Sequence, residues 1–162
     1  MTRSGIGFDA HQLEKGIDLY IGGIKIDSDL GSLGHSDGDA LIHAIADSLL
    51  GAAGIGDIGQ YFPSEDKKWE NAKSEIFLIE VNKILINNGF KISNIDCTVV
   101  LQKPKISPYI ESIRNNISKI LKLNKNYVSI KATTTDYLGY IGHSKGWSVI
   151  SIATIIDTNE DC

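Results

Sequence analysis

The alternation of apolar and polar positions divides the chain into short β-type stretches and three helical ones. Gly5 to His11 and Leu19 to Ile26 are β-branched and punctuated by glycine, with Gly22-Gly23 interrupting the second where a bulge or close backbone approach is expected. The two segments read as a strand pair. From Asp39 to about Ala53, the residues Leu41, Ile42, Ile45, Ala46, Leu49 and Leu50 recur at helical spacing, and Gly51 or Gly54 offers a stop. A second helix is expected from Ser74 to Asn88, with Phe77, Val81, Ile84 and Leu85 facing inward and Gly89 at the left-handed position that follows a helix end. A third starts with Ser107 as N-cap and Pro108 in the first turn; Ile110, Ile113, Ile117, Ile120 and Leu121 mark its inner face. Ile95 to Leu101, Val128 to Thr134 and Trp147 to Ile156 are further strands. The order strand, strand, helix, helix, strand, helix, strand, strand lacks a regular βαβ alternation. The expected fold is therefore α+β, a mixed β-sheet with helices packed on one face.

Composition narrows this picture. The 162 residues, 42% hydrophobic and 22% charged, suit one globular domain spanning 1–162 and exclude a disordered, collagen-like or disulfide-scaffold chain. Sixteen Lys plus Arg against twenty Asp plus Glu give a net charge of -4, which leaves no basic footprint for nucleic acid or an anionic membrane. No stretch reaches the roughly 18 apolar residues of a membrane span, and the N-terminus lacks the apolar run of an export signal. Cys97 and Cys162 form no CxxC pair, so a reducing cytoplasm is the expected compartment.

The candidate chemistry starts at Asp9-Ala10-His11. On a strand, alternation sends Asp9 and His11 to the same face, which makes a usable pair of metal ligands, although a solvated strand end looks the same. His43 lies on the first helix with Asp39 four residues before it and Asp47 four after, so the three form one polar stripe. That stripe is either a solvated helix face or a metal-bound imidazole whose remaining N–H a carboxylate holds. Two His and one Asp would make a three-ligand zinc site with an open fourth position. His35-Ser36-Asp37-Gly38-Asp39 enters the helix through a polar turn, where free N–H groups favour phosphate oxygens and Asp37 or Asp39 can cap. Lys131-Ala132-Thr133-Thr134-Thr135-Asp136 ends a strand with hydroxyl donors and a carboxylate for a hard Mg²⁺ or Mn²⁺. His143 follows closely. Asp57-Ile58-Gly59 beside Phe62-Pro63 offers a carboxylate to sugar-type hydroxyls, and Leu101 to Ser107 exposes backbone donors and acceptors that could read a pyrimidine edge. A turn and an ordinary connection are the plainer readings of those two loops.

Taken in order, these blocks resemble the 2-C-methyl-D-erythritol 2,4-cyclodiphosphate synthase family. The resemblance rests on Gly7-Phe8-Asp9-Ala10-His11, Ile21-Gly22-Gly23, His35 to Asp39, His43, Leu50-Gly51-Ala52-Ala53, Gly56-Asp57-Ile58-Gly59, Phe62-Pro63, Pro104-Lys105 and Lys131 to Thr135. It implies a homotrimer with each active site between neighbouring subunits. It also implies a lyase of the non-mevalonate isoprenoid pathway that converts a cytidine diphosphate-linked methylerythritol phosphate to a cyclic diphosphate, with release of CMP. Asp9, His11 and His43 would hold a catalytic Zn²⁺, Asp136 a second ion, Mg²⁺ or Mn²⁺, and His35 and Thr134 would stabilise the transition state.

The resemblance further implies substrate contacts at Asp9, Ala10, His11, His35, Ser36, Asp57, Ile58, Gly59, Phe62, Pro63, Ser64, Glu65 and Asp66. Others fall at Leu101, Gln102, Lys103, Pro104, Lys105, Ile106, Ser107, Thr133, Thr134, Thr135, Asp136, Tyr140 and His143. Four positions depart from the family pattern: Asp136 stands for a common Glu, His143 for an Arg, Lys145 for an acidic residue and Ser64 for an Asp. A zinc phosphohydrolase and an inactive trimeric binder of isoprenoid diphosphates are the competing readings.

Overall fold

The computed structural model describes residues 1–34, 36–63, 65–69 and 72–159. Its frame is a five-stranded sheet in the order β4-β1-β7-β5-β6, built from β1 (Thr2–Lys15), β4 (Leu30–Leu33), β5 (Phe90–Val100), β6 (Val128–Thr133) and β7 (Gly146–Asp157). A separate hairpin is formed by β2 (Leu19–Ile21) and β3 (Ile24–Ile26). Only the β5–β6 pair is parallel among these; β1–β4, β1–β7 and β5–β7 are antiparallel. The sheet is mixed, as the missing βαβ alternation implies.

Among the described residues there are three longer helices, α1 (Ala40–Ala53), α3 (Ser74–Asn87) and α4 (Ile110–Leu121), and two single-turn α-helices, α2 (Ile58–Tyr61) and α5 (Gly139–Gly142), besides short 3₁₀ turns. Helix α1 lies across β1 and β7, α3 packs on α1 and α4, and α4 also meets β6, so the helical layer covers one side of the sheet. The side chains of α1 are apolar nearly all round because it sits between the sheet and α3. It ends where expected, at Gly54 in the left-handed conformation. One continuous core joins the inner faces of these elements.

Four expectations need correction. The first two β segments do not pair with each other: β1 pairs with β7 and β4, while Leu19 to Ile26 folds back on itself. Gly22 and Gly23 both take positive φ, 61° and 77°, so they are the turn of that hairpin and not a bulge. At the third helix, Ser107 does not cap with its side chain; Ser107–Tyr109 is a 3₁₀ turn that leads directly into α4. Ile84 is only partly buried, whereas Leu78 and Asn82 join the inner face of α3.

Close approach of α1 to β1 requires glycine. A Cβ on Gly7 would lie 2.8 Å from Ser48 N and closer still to the Ala44 carbonyl, so no larger residue fits without moving the helix. This close approach lets His43, one residue before Ala44 on the helix, reach Asp9 and His11 further along the strand.

Candidate active site

Alternation along β1 turns Gly7, Asp9 and His11 toward α1 and leaves Ile6, Phe8 and Ala10 on the opposite face. His43 descends from α1 onto this strand. Its Nδ1 lies 2.9 Å from Asp9 Oδ2, and His11 Nε2 lies 3.0 Å from the same oxygen and 3.4 Å from His43 Nδ1. One ligand atom from each residue falls within 4.8 Å of the others, and all three side chains are partly buried. Burial alone would raise the Asp9 carboxyl, but hydrogen bonds and charge from His11 and His43 hold it well below the usual carboxylate range. Burial works against a charged His11, yet Asp9, with help from the Leu33 carbonyl and Asp39, raises its pKa.

The donor set suits a cation. His11 Nδ1 lies 3.0 Å from the Leu33 carbonyl, which can only accept, so the N–H of a neutral ring is on that side. The other nitrogen then presents a lone pair toward Asp9 Oδ2. A carboxylate and two imidazoles converging this way could hold a metal ion. The strand that supplies Leu33, β4, has no counterpart among the sequence expectations.

The polar stripe on α1 behaves differently from its sequence reading. Asp39 is fully buried and caps the helix: its Oδ1 accepts from Gly22 N at 3.0 Å and Ile42 N at 3.1 Å, and its Oδ2 from Gly23 N at 2.6 Å. Burial, aided by the nearby Asp37 carboxylate, pushes Asp39 up to about 6 although those N–H groups oppose it. Asp47 accepts from Ile58 N at 2.8 Å. Neither carboxylate holds the outer nitrogen of His43. Nε2 instead lies 2.9 Å from Ser74 Oγ and 3.3 Å from Ser36 Oγ. Sequence reasoning, which read Asp37 as a cap and Ser74 as a helix start, missed their contact with each other and with His43, because nothing local shows that the start of α3 sits over His43.

Beside the focus lies a cavity of about 150 Å³ lined by His11, Ser36, His43, Ile58, Phe62, Trp69 and Phe77. Phe62 stacks near Phe77 and Trp69, with ring centroids 4.8 and 5.1 Å away. Asp57 caps α2, accepting from Gln60 N at 2.9 Å, and Gly59 lies in the same turn. Pro63, Glu65 and Asp66 continue past Phe62; Asp66 N donates to the Pro63 carbonyl. His35 and Ser64 fall outside the described residues.

The second group of expected residues gathers elsewhere. Gln102, Lys103, Pro104, Lys105, Thr134 and Asp136 line an open groove of about 860 Å³ with Asp27, Ser28, Asp29, Leu30, Tyr137 and Ser144. A smaller cavity of about 220 Å³ adds Leu101, Ile106, Ser107 and Thr133. Asp136 and Tyr137 have φ of 50° and 65°, and Tyr137 N donates to Gln102 Oε1 at 3.1 Å, which ties the two loops together. Asp136 Oδ1 lies 3.4 Å from the Thr134 hydroxyl, and both residues are exposed. Thr135 Oγ1 donates to the Leu138 carbonyl. Among the described residues, the linings of these two hollows include none of Asp9, His11 and His43. Ala10 and Tyr140 border a fourth hollow with His11 and Lys145, and His143 ends α5, exposed.

Known proteins match along this whole arrangement. Residues 2–156 match the family model described as the YgbB family. A 2-C-methyl-D-erythritol 2,4-cyclodiphosphate synthase of Clostridium acetobutylicum is 48% identical, over 95% of this chain and 99% of its own. The bifunctional enzyme IspD/IspF of Aliarcobacter butzleri is 44% identical; this chain spans only 41% of its length. Among solved structures, IspF of Plasmodium falciparum in a CDP complex aligns with a TM-score of 0.86 and 35% identity over 98% of this chain and 97% of that one. The bifunctional IspDF of Campylobacter jejuni aligns with 0.93 and 36% identity, covering 99% of this chain and 44% of that one. With matches of that extent in sequence and in structure, the chain belongs to the YgbB family.

Proposed function

We propose that the chain is a 2-C-methyl-D-erythritol 2,4-cyclodiphosphate synthase. It converts 4-diphosphocytidyl-2-C-methyl-D-erythritol 2-phosphate to the cyclic diphosphate and CMP, a phosphorus–oxygen lyase reaction of the cytoplasmic non-mevalonate route to isoprenoid precursors. The observation that carries this reading is the convergence of Asp9, His11 and His43 beside a cavity walled by aromatic side chains, in a chain whose relatives bear that name. An oxygen of the 2-phosphate forms a bond to the β-phosphorus, and the bond from that phosphorus to the bridging oxygen of CMP breaks, its electron pair leaving with CMP. Both partners are anions, so repulsion dominates the barrier.

Asp9, His11 and His43 are the residues that would hold Zn²⁺, and Asp136 would hold Mg²⁺ or Mn²⁺ against the phosphates; bound there, the ions supply positive charge to the phosphate oxygens. Ser36, Asp57 and Gly59 orient the methylerythritol hydroxyls, and the aromatic wall of Phe62, Trp69 and Phe77 keeps water from the reacting end. The loop from Leu101 to Ser107 reads the cytosine through its backbone. Thr134, with His35, donates hydrogen bonds where charge builds up. Fixing both ends of one molecule in line exploits the large effective molarity of ring closure.

Two features favour a homotrimer with shared sites. The uncovered side of the sheet carries Ile6, Phe8, Ile150 and Ile152, with Ile6 70% and Phe8 60% exposed, an apolar surface that a second copy would bury. The two groups of candidate residues also lie in separate hollows, as halves of a site completed by a neighbour would. Phosphorus NMR of the products formed by the purified protein with Zn²⁺ and Mg²⁺ tests the reaction. CMP together with a cyclic diphosphate is expected; CMP with linear phosphates only would make it a phosphohydrolase, and no turnover would leave a binding protein. Sedimentation equilibrium tests the trimer, with a mass of three chains expected.

A further inference from the structure

The geometry points to Asp37 and Ser74 as positioning residues for His43, holding the imidazole in the Nε2–H tautomer so that Nδ1 turns a lone pair into the ligand focus. The inference rests on the metal-binding reading of Asp9, His11 and His43.

Ser74 is the first residue of α3 and is fully buried. Its hydroxyl has one proton, and the Asp37 carboxylate, an acceptor only, receives it at Oδ1. The same carboxylate accepts from Ser74 N at 3.0 Å through Oδ2, so Asp37 grips the residue by backbone and side chain together. Asp37 thereby also serves the N-terminus of a helix whose preceding residue, Lys73, provides no side-chain cap. With its proton committed, Ser74 Oγ can only accept from His43 Nε2, 2.9 Å away. Ser36 Oγ, 3.3 Å from both Ser74 Oγ and His43 Nε2, satisfies the remaining lone pair of Ser74 without changing this polarity.

The alternative tautomer has a partner ready. Asp9 Oδ2 lies 2.9 Å from His43 Nδ1 and would accept a proton there. A proton at Nδ1 blocks the ligand lone pair, so the ring needs an acceptor on its far side to disfavour that state. His11 receives the same service from the Leu33 carbonyl. The two histidines are thus oriented by different means, one by backbone that no side-chain change can remove, the other by a side-chain relay that a single substitution breaks.

The test measures zinc affinity of the purified full chain by competition with a chromophoric chelator, and the His43 Nε2–H signal of the zinc-loaded protein by ¹⁵N-resolved NMR. Ser74→Ala is expected to weaken zinc binding by about 10–100-fold and to speed exchange of that proton, with Ser74→Thr restoring both. Asp37→Ala frees the Ser74 hydroxyl to donate toward His43, and is expected to weaken zinc binding in the same direction. It becomes the deciding variant if Ser74→Ala loses its native near-ultraviolet circular dichroism. A merely structural role would lower the unfolding temperature while leaving zinc affinity and the Nε2–H signal of the folded protein unchanged. Zinc affinity within about twofold of wild type in the deciding variant, with an unchanged signal, overturns the relay. Failure of the wild-type chain to bind zinc overturns the metal reading itself, and the relay with it.

Discussion

The ligand focus on β1 and α1 and the exposed turn that follows β6 represent two ways of building chemistry into one chain. At the focus every group is held from behind: Asp9 and His11 by strand register, His11 by Leu33, His43 by a helix that Gly7 lets descend. At Asp136 and Tyr137 the backbone takes left-handed conformations, the side chains of Thr134 and Asp136 are exposed, and the neighbouring loop is tied on through Leu101 N to the Thr133 carbonyl and Tyr137 N to Gln102. Rigid elements fix positions to fractions of an ångström, whereas a loop keeps its final geometry for the ligand or a neighbouring subunit. Among the described residues, the first group is fixed by its own strand and helix, whereas the second stands exposed at a turn.

Removing a focus ligand should have the largest effect. His43→Ala is expected to abolish stoichiometric zinc binding and to lower turnover by several kcal/mol in barrier, on the order of 10³-fold, measured by metal analysis and CMP release. Asp136→Ala should leave zinc content unchanged while lowering turnover, and equal zinc loss in both variants would erase the distinction between the two regions. Co-refolding these two inactive variants gives the next largest effect. If neighbouring chains share sites, random mixed trimers should recover about a quarter of the sites, and hence a comparable share of CMP release. No recovery would place both halves in one chain.

Gly7→Ala probes the contact between strand and helix. Forcing α1 away from β1 is expected to cost about 1–3 kcal/mol in chemical denaturation and to weaken zinc binding, without change at the open turn. Acidity gives the smallest and most diagnostic effect. His11 has a raised pKa, so its pairing with Asp9 stabilises the metal-free fold fully below the unfolded value of 6.5 and progressively less as pH rises through the folded value. Zinc binding displaces that proton and strengthens over the same range. Thermal unfolding midpoints of metal-free and zinc-loaded protein should therefore slope in opposite directions above pH 6.5; parallel slopes would separate His11 from the metal.

The same contrast explains what the sequence disclosed. Asp9 and His11 were readable because a strand has period two, and His43 because a run of apolar residues fixed the helix and its phase. The roles of Asp39 and Asp47 were not, since helical spacing shows that residues share a face but not that Gly22, Gly23 and Ile58 would draw both carboxylates away. Ser74 read only as a helix start. Its place over His43 depends on how α3 packs against α1, a tertiary contact with no local signature. The strand β4 is four residues long and contains a glycine, too short for alternation to register. The mixed sheet was legible from element order, whereas the partner of β1 was not, because pairing at a distance of more than a hundred residues leaves no mark on either segment.

The strict alternation of β1 carries a further consequence for how such a chain can change over generations. Odd positions from Gly7 to His11 face the chemistry, and even positions from Ile6 to Ala10 face outward. Inserting or deleting a single residue in this stretch would exchange the two sets at once, exposing the ligands and driving Phe8 against the helix. Substitutions can tune either face separately, but length changes cannot. By contrast, β5 already absorbs an irregular register between Ile92 and Asn94, close to its beginning, where neither face carries a ligand. Natural variation in length should therefore collect at the start of β5 and in the loops, and leave β1 uncut.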